Sequence, residues 1–311
     1  MITTPTVLVV GAGASHPYGF PIAKELKELI CEAFASPTTR ASKFLGGTES
    51  KYTSEQFSEF RQAFLKAPVS IDAFLYRRPE FLAVGKLAIA YCLMPFEDET
   101  KLYQPDRQLR GGNWYEYLAG KLDSTFEEFG NNKLSIVTFN YDRSLEHYLL
   151  NSLMNLHGKT RDECATALEK IPIVHVYGQL GETPYPKQGS QQYRPDEVNH
   201  FRYVQTAADG IKLYHEDAEA ASTRARELLS SAKRICFLGF SYNSFNVARL
   251  KVSESLDQST TVIGTTRGVV GRELDAAKNG LAEAVGGDIH LVRSVNSEDN
   301  LAILRDHTFL G

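Results

Sequence analysis

Short runs of apolar residues without polar alternation recur along the chain, and most of them end in Gly, Ser, Thr or Asn. Strands that are buried on both faces have this pattern, which is typical of parallel sheets, whereas half-exposed strands alternate apolar and polar positions. The runs predict five strands and a sixth candidate: Thr6–Val10, Leu134–Phe139, Ile171–Val176, Arg234–Leu238, Thr260–Ile263 and, as the sixth, Asp288–Val292.

The stretches between the later strands have helical periodicity and are long enough to connect parallel strands. Ala220–Ala232 and Arg272–Ala284 are two such segments. The alternation of strand and helix predicts an α/β fold, a Rossmann-like parallel sheet with helices on both faces. Ligands of such sheets bind at the carboxyl ends of the strands, and the polar clusters that follow the apolar runs lie there.

Residues 36–129 have a different pattern. They contain amphipathic helical segments, such as Ser54–Leu65 and Pro79–Leu93, and no clear strand. This region is predicted to be a mainly helical insertion module after the first strand. Residues 1–35 and 130–311 are then predicted to form the domain that contains the sheet.

Composition narrows the class of protein. The chain has 311 residues, of which 42% are hydrophobic and 23% charged, which indicates one large globular domain or two modest ones. The net charge of −4 disfavours direct nucleic-acid binding, because such proteins are usually basic. The absence of a basic leader and of about 18 consecutive apolar residues predicts a cytoplasmic protein without membrane association.

The four cysteines, Cys31, Cys92, Cys164 and Cys236, are scattered along the chain. A cysteine zinc module needs clustered ligands, so no such module is expected, and the histidines have no metal-ligand spacing either. Single scattered cysteines indicate reduced core residues. We therefore expect no metal site.

The first candidate site is the sequence Gly11-Ala12-Gly13-Ala14-Ser15, directly after the first strand and before a predicted helix at Ile22–Phe34. Gly11, Ala12, Gly13 and Ser15 are predicted to bind phosphate, because glycines allow close approach of the backbone and helix amides attract anions. His16 stands where a dehydrogenase fingerprint has its third glycine, so a redox Rossmann domain is disfavoured. The alternative is a turn that only serves packing.

The second strand is followed by Asn140 and Asp142. Alternate spacing directs both side chains the same way if the backbone is extended. An asparagine at this edge can hold a ribose hydroxyl or a water, and Asp142 can orient Asn140 or the ribose. The alternative is capping of the helix predicted at Arg143–Leu150.

The third strand carries His175 and Tyr177 on one face, followed by Gly178. A histidine at the crevice can act as general base or contact a ribose hydroxyl. The alternative is a buried, hydrogen-bonded histidine without a catalytic role.

Two further clusters follow the fourth and fifth strands, Gly239-Phe240-Ser241-Tyr242-Asn243 and Gly264-Thr265-Thr266. Small and hydroxyl residues at strand ends suit the second half of a dinucleotide, and ordinary turn chemistry is the alternative. The candidates for this part of the site are Gly239, Ser241, Asn243 and Thr265.

Taken together, GAGAS with Tyr18-Gly19-Phe20-Pro21, TFNYDRSLE, HVYGQLG and FLGFSYN resemble the bacterial sirtuin-like (silent information regulator 2-like) proteins. The resemblance runs from about Val7 to Thr266. It implies an NAD-binding Rossmann-like domain with a helical module inserted after the first strand. It also implies that Asn140 and a histidine line the nicotinamide–ribose pocket. Sirtuins usually have His-Gly where this chain has Tyr177-Gly178, so either His175 or Tyr177 takes that role.

The missing zinc ribbon shifts the expectation from protein deacylation to the NAD⁺ hydrolases of bacterial anti-phage defence. The expected reaction cleaves the nicotinamide–ribose bond of NAD⁺, which is a substrate, and yields ADP-ribose and nicotinamide. Asn140, His175 and Asp142 are the catalytic candidates, and Tyr177 and Gly178 join the NAD-binding ones.

The resemblance also implies a homo-oligomer, and a partner such as a HerA-type ATPase, an Argonaute or another sensor. Because constant NAD⁺ cleavage would kill the host, the activity is expected to be gated by assembly or by that partner. Two alternatives remain: a module that binds NAD⁺ or ADP-ribose without cleaving it, and an NAD-dependent deacylase without zinc.

Overall fold

The computed structural model describes residues 1–103, 113–181, 193–213, 216–251, 260–266, 271–284, 288–292, 300–306 and 310. Six strands lie in these ranges. Their bounds are β1 Thr6–Val10, β2 Leu134–Thr138, β3 Ile173–His175, β4 Arg234–Leu238, β5 Thr261–Thr265 and β6 Asp288–Val292. The sequence pattern predicted three of these strands at their observed bounds and the other three within a few residues.

The strands form one parallel sheet in the order β3-β2-β1-β4-β5-β6. This is the strand order of the doubly wound Rossmann-type sheet. The predicted α/β class with a parallel sheet is therefore confirmed. The order reverses between β1 and β4, so the crevice at their carboxyl ends is where such a fold binds ligands.

Helices fill the connections between the strands. They are α1 Ala12–Ser15, α2 Ala23–Ala33, α3 Arg40–Leu45, α4 Ser54–Leu65, α5 Ile71–Arg77, α6 Leu82–Leu93, α7 Glu99–Tyr103, α8 Trp114–Lys121, α9 Ser144–His157, α10 Arg161–Leu168, α11 Phe201–Gly210, α12 Glu216–Ser230, α13 Ser244–Arg249, α14 Arg272–Ala284 and α15 Asn300–Asp306. Short 3-10 turns cover His16–Tyr18, Pro79–Phe81, Met94–Phe96, Phe129–Asn131 and Pro195–Asn199.

The sheet is buried on both faces because successive strand residues point to opposite sides. Val7 and Val9 of β1 pack into one hydrophobic cluster, with residues of α2, α4, α6 and α12. Leu8 and Val10 pack into a second cluster, with residues of α8, α9 and α10. All five residues of β1 are buried. This burial explains why the strands lack the polar alternation of a half-exposed sheet.

The described part of the region 36–129 is helical and contains no strand. Its side chains do not form a core of their own. Phe57, Phe60 and Phe64 of α4 belong to the same cluster as Val7 and Val9. Trp114 and Leu118 of α8 belong to the other. The division into domains at residues 36 and 129 stays a prediction.

One helical stretch among the described residues, 79–96, is apolar and long enough to cross a membrane, and half of it is buried in the protein. Leu87, Ala88, Ile89 and Ala90 of α6 have no more than 1% of their surface exposed. Helix α6 therefore packs as a core helix of this fold.

Candidate active site at the strand ends

The register of the sheet brings the predicted site segments to one edge. Val10 of β1 pairs with Thr138 of β2 on one side and with Leu238 of β4 on the other. Thr138 in turn pairs with His175 of β3. The residues that follow these positions, including Gly11, Asn140 and Gly239, therefore lie together at the carboxyl ends of four adjacent strands.

The glycine-rich loop is packed against the loop after β4. The amide of Gly11 donates to the carbonyl of Leu238 at 2.9 Å, and that of Gly13 donates to the carbonyl of Gly239 at 3.0 Å. A Cβ on Gly11 would lie 2.6 Å from the carbonyl oxygen of Gly239. The close contact between the two loops requires glycine at these positions. This agrees with the alternative that the glycine-rich turn serves packing. Phosphate binding by Gly11, Ala12, Gly13 and Ser15 stays a prediction.

A short helix that the sequence did not predict follows this loop. Ala12–Ser15 forms α1, followed by a 3-10 turn that ends at Gly19 with φ +91°. The helix predicted at Ile22–Phe34 is observed as α2, Ala23–Ala33. The dipole of α2 therefore does not begin directly at the glycine loop, and α1 alone follows it.

Asn140 is held in a fixed orientation in the loop after β2. Its Nδ2 donates to the carbonyl of Gly11 and to the Oγ of Ser15, both at 3.2 Å. Its backbone amide donates to Thr138 Oγ1 at 3.1 Å. The residue is only 8% exposed, and its Oδ1 is a buried oxygen without a hydrogen-bond partner in the described ranges. A buried oxygen without a partner carries a desolvation cost, which a hydrogen bond would offset. The Oδ1 of Asn140 can therefore accept a hydrogen bond from a ligand or a water.

His175 contacts Asn140 and a residue that the sequence did not suggest. Its Nδ1 lies 2.9 Å from the carbonyl oxygen of Asn140, and its Nε2 lies 2.5 Å from Oε1 of Glu146 on α9. Burial by itself lowers the pKa of His175, but the charge and hydrogen bond of Glu146, the Asn140 carbonyl and the charge of Asp142 raise it above its usual value. Both ring nitrogens of His175 therefore have a hydrogen-bond partner.

Tyr177 lies elsewhere. Its hydroxyl donates to Oδ1 of Asn246 at 2.7 Å, and its ring contacts Phe139 and Phe245. Gly178 follows with φ +70°, and its backbone pairs with Ile211. Of the two candidates for the sirtuin histidine, His175 is thus the one that hydrogen-bonds to Asn140.

Asp142 is not the N-cap residue of α9, which is Arg143, but its side chain does bind the start of that helix. Its Oδ1 accepts from the amide of Ser144 at 3.1 Å and from the Ser144 hydroxyl, at the start of α9. Burial raises its pKa, the hydrogen bonds from Ser144 and Ser15 oppose this, and the charge of Glu146 adds to it. A buried carboxyl with a raised pKa beside Asn140 is compatible with both a structural and a chemical role.

The residues after β4 and β5 have mostly structural contacts. The amide of Gly239 donates to Thr265 Oγ1 at 2.9 Å. Asn243 caps α13 by accepting from the amide of Asn246 at 2.8 Å, and its Nδ2 donates to Ser241 Oγ. Ser241 and Asn243 are exposed at the rim of the crevice. Their contact with a dinucleotide stays a prediction.

Several buried residues near the site were missed from the sequence. Arg143 forms an ion pair with Glu97, Tyr115 hydrogen-bonds to Ser144, and Asn300 Nδ2 donates to the carbonyl of Gly13 at 3.4 Å. Glu146 had a usable signal. It lies three, four and seven residues before Leu149, Leu150 and Leu153, on the apolar side of α9, where a carboxylate is unexpected without a partner.

The four cysteines are free and buried. Within the described ranges, no group of three or more His, Cys, Asp or Glu side chains is arranged to hold a metal ion.

No protein-family model matches the chain, and no curated protein sequence matches it significantly. The sirtuin-like resemblance of the motifs therefore stays a prediction.

Proposed function

We propose that this chain is an NAD⁺ hydrolase that cleaves the bond between nicotinamide and ribose. The observation that carries the proposal is the state of Asn140. Its amide nitrogen is fixed by Gly11 and Ser15, while its buried Oδ1 has no hydrogen-bond partner among the described residues. This acceptor lies at the reversal point of a Rossmann-type sheet, where dinucleotides bind. The motif resemblance to sirtuin-like proteins supports the choice of NAD⁺.

The chemistry fits the groups present. The nicotinamide leaves as a neutral group from a cationic precursor, so it needs little acid assistance, and positive charge develops on the ribose. Asn140 Oδ1 would accept a hydrogen bond from the attacking water or from a ribose hydroxyl. The carboxyl of Asp142, when ionised, would stabilise the developing cation electrostatically. Positioning rather than strong base catalysis would then provide most of the rate.

The remaining contacts follow the sequence prediction. Gly11, Ala12, Gly13 and Ser15 would face the phosphates. The rim residues Ser241 and Asn243, with Gly239 and Thr265 behind them, would contact the adenosine half, and Tyr177 and Gly178 would border the pocket. Each of these assignments belongs to the proposal and depends on NAD⁺ binding at this edge.

The direct test is to incubate purified protein with NAD⁺ and to follow ADP-ribose and nicotinamide by chromatography. Asn140→Ala should reduce turnover by at least about 100-fold, because the oriented acceptor is lost. Asn155→Ala, on an exposed position of α9, is the matched control and should leave turnover unchanged. If Asn140→Ala retains turnover and unfolds at the same temperature as the wild type, the site assignment is contradicted.

A second function has its own supporting observation. Both ring nitrogens of His175 are engaged, so the ring cannot accept a proton from water in this arrangement. That favours a module that binds NAD⁺ or ADP-ribose without cleaving it. Calorimetry that detects tight NAD⁺ binding, together with the absence of products even after prolonged incubation, would support this function over hydrolysis.

We also propose, from the resemblance, that the protein acts in the cytoplasm in anti-phage defence by depleting NAD⁺. Its activity would be gated by homo-oligomer assembly or by a partner such as a HerA-type ATPase. Size-exclusion chromatography coupled to the NAD⁺ assay tests this proposal. High activity in a monomer fraction would count against gating by assembly.

A further inference from the structure

Glu146, His175 and Asn140 form a chain of contacts between three elements. Glu146 lies in the first turn of α9, His175 ends β3, and Asn140 follows β2. The carboxylate reaches Nε2 of His175 at 2.5 Å, and Nδ1 of the same ring reaches the carbonyl of Asn140 at 2.9 Å. All three residues are buried. The ring thus links a helix to the loop that carries the free Oδ1.

We propose that Glu146 is a positioning residue: it holds the ring of His175 so that the ring clamps the backbone of Asn140 and keeps the Asn140 side chain in its ligand-ready orientation. This inference rests on the proposed function, because it concerns the same NAD⁺ site. It adds a residue and a route of action that the motif resemblance does not include.

The hydrogens that the two ring nitrogens of His175 must carry support this role of Glu146. A carbonyl oxygen only accepts, so Nδ1 of His175 must carry hydrogen and donate to Asn140. The Nε2 side faces a carboxylate, which favours a second ring proton and a charge-assisted hydrogen bond. Such a bond is stronger and more directional than one between neutral groups. A ring held at both nitrogens has little freedom to rotate, and the Asn140 backbone is fixed with it.

The charged surroundings of the ring act in the same direction. Glu146 faces it from α9 and Asp142 from the loop before α9, and both favour the protonated ring. Tyr115 of α8 lies near both carboxylates, and their charges together with burial raise the pKa of its hydroxyl, so it adds no charge at neutral pH. Burial also lowers the pKa of the neighbouring His147 to about 3, which keeps that ring neutral.

A competing explanation is that Glu146 only stabilises α9. An acidic residue in the first turn of a helix interacts favourably with the helix dipole. That role would affect folding, but it would change neither the titration of His175 nor the balance between kcat and KM. The variant Glu146→Gln separates the two roles, because it keeps the size of the side chain and removes its charge. Glu127→Gln, at an exposed position, is the matched control.

The first readout needs no activity. Histidine labelled with 15N reports the protonation of each ring nitrogen by NMR, and the signal of His175 is identified by its loss in His175→Gln. We expect the His175 ring to lose its second proton at lower pH in Glu146→Gln than in the wild type and in Glu127→Gln. An unchanged titration would overturn the proposal. If Glu146→Gln does not fold, Glu146→Asp, which keeps the charge at a greater distance, should show a smaller shift in the same direction.

The second readout is kinetic. In Glu146→Gln, kcat for NAD⁺ should fall by about 10- to 100-fold with a smaller change in KM, because Asn140 is mispositioned rather than removed. In the wild type, kcat should decline as pH rises through the pKa of His175, and this decline should move to lower pH in the variant. Adding Glu146→Gln to His175→Gln should cause no further loss, because both changes break one link.

The two proposals can fail separately. If the wild type releases no nicotinamide, either as the assembled homo-oligomer or with a candidate partner ATPase added, the hydrolase proposal is wrong, and the Glu146 proposal is then decided by NAD⁺ binding. Weaker binding in Glu146→Gln than in Glu127→Gln would support it, and equal binding would overturn it. If the wild type cleaves NAD⁺ but Glu146→Gln has the same kcat and pH profile, Glu146 is not a positioning residue, and the hydrolase proposal stands.

Discussion

Arg143 and Glu97 form an ion pair in the protein core, with Nη2 and Oε2 2.5 Å apart and side chains 0% and 1% exposed, respectively. A second hydrogen bond joins Nε to Oε1 at 2.9 Å, so the pair is bidentate. Glu97 follows α6 in the helical region between β1 and β2, whereas Arg143 comes directly after Asp142. The pair therefore ties the helical region to the loop that carries the candidate catalytic residues.

Glu97→Gln should lower the free energy of unfolding by about 3 kcal/mol, because it removes a carboxylate from a fully buried guanidinium. Urea unfolding at neutral pH measures the change. The control is Glu80→Gln. Glu80 also pairs with an arginine at 2.5 Å, but both side chains are about half exposed. Solvent screens such a pair, so its loss should have a far smaller effect. Equal losses in the two variants would contradict a special role for the buried pair.

Gly11, in the loop after β1, should not tolerate a side chain. Gly11→Ala places a methyl group within 3 Å of backbone atoms of Gly239 and Phe240, which cannot rotate away as a side chain would. We expect a loss of about 1–3 kcal/mol in the free energy of unfolding, together with a displaced loop. Thermal and urea unfolding measure the first effect.

Gly120→Ala is the control for this prediction. Gly120 lies inside α8, is exposed, and has no atom within 4 Å of a built Cβ. Alanine there should stabilise the protein by about 0.5–1 kcal/mol, since glycine is costly within a helix. If Gly11→Ala were as well tolerated as Gly120→Ala, the tight contact between the two loops would be wrong.

Asp142→Asn should change how stability depends on pH. Burial raises the pKa of the Asp142 carboxyl in the folded protein. A group whose pKa is raised by folding contributes stability below its unfolded pKa of about 3.9, and that contribution is lost as pH rises through the folded pKa. The wild type should therefore lose stability relative to Asp142→Asn between about pH 4 and the folded pKa.

Urea unfolding at a series of pH values, for the wild type and for Asp142→Asn, measures this difference. Asp123→Asn is the matched control, because it makes the same change at an exposed position. A stability difference between wild type and Asp142→Asn that stays constant over the range would mean that folding does not perturb the Asp142 carboxyl.

The sheet could be predicted from the sequence because its strands are buried on both faces. Continuous apolar runs such as Thr6–Val10 and Arg234–Leu238 predict buried parallel strands in a chain where strands and helices alternate. The strand ends were less certain. The third strand, Ile173–His175, is shorter than its apolar run, although the Val176 amide still donates to the carbonyl of Thr138 at 2.9 Å, and the backbone turns soon afterwards at Gly178.

The partners of the site side chains could not be predicted, because they depend on packing between distant segments. Asn140 was found from its position after a strand, but its contact with Gly11 spans 129 residues. Glu146 of α9 was missed because its partner, His175, lies on β3, 29 residues further along the chain. Capping was the alternative for Asp142, but the N-cap of α9 is Arg143, and Asp142 accepts from the Ser144 amide one position earlier. Asn243, for which turn chemistry was the alternative, is the N-cap of α13 and accepts from the Asn246 amide.

The loop after β4 contains a residue with an unusual conformation and an unsatisfied hydroxyl. Tyr242 has φ +53°, which is uncommon for a bulky residue, and its buried Oη has no hydrogen-bond partner in the part of the chain that the structure describes. Burying a hydroxyl without a partner costs about 1–3 kcal/mol. Tyr242→Phe removes the oxygen and keeps the ring in contact with Phe237 and Phe240. It should therefore raise the free energy of unfolding by about 1 kcal/mol.

Tyr115→Phe is the control with the opposite sign. The Tyr115 hydroxyl is also buried, but it lies 2.7 Å from Ser144 Oγ and shares a hydrogen bond with it. Its removal should lower the free energy of unfolding by about 1 kcal/mol. Both variants are compared with the wild type by urea unfolding under the same conditions. If Tyr242→Phe were destabilising as well, the Tyr242 hydroxyl would have a partner in solution. The measurement would then be repeated with NAD⁺ present. A loss in free energy of unfolding for Tyr242→Phe that increases with the NAD⁺ concentration would identify the bound nucleotide as that partner.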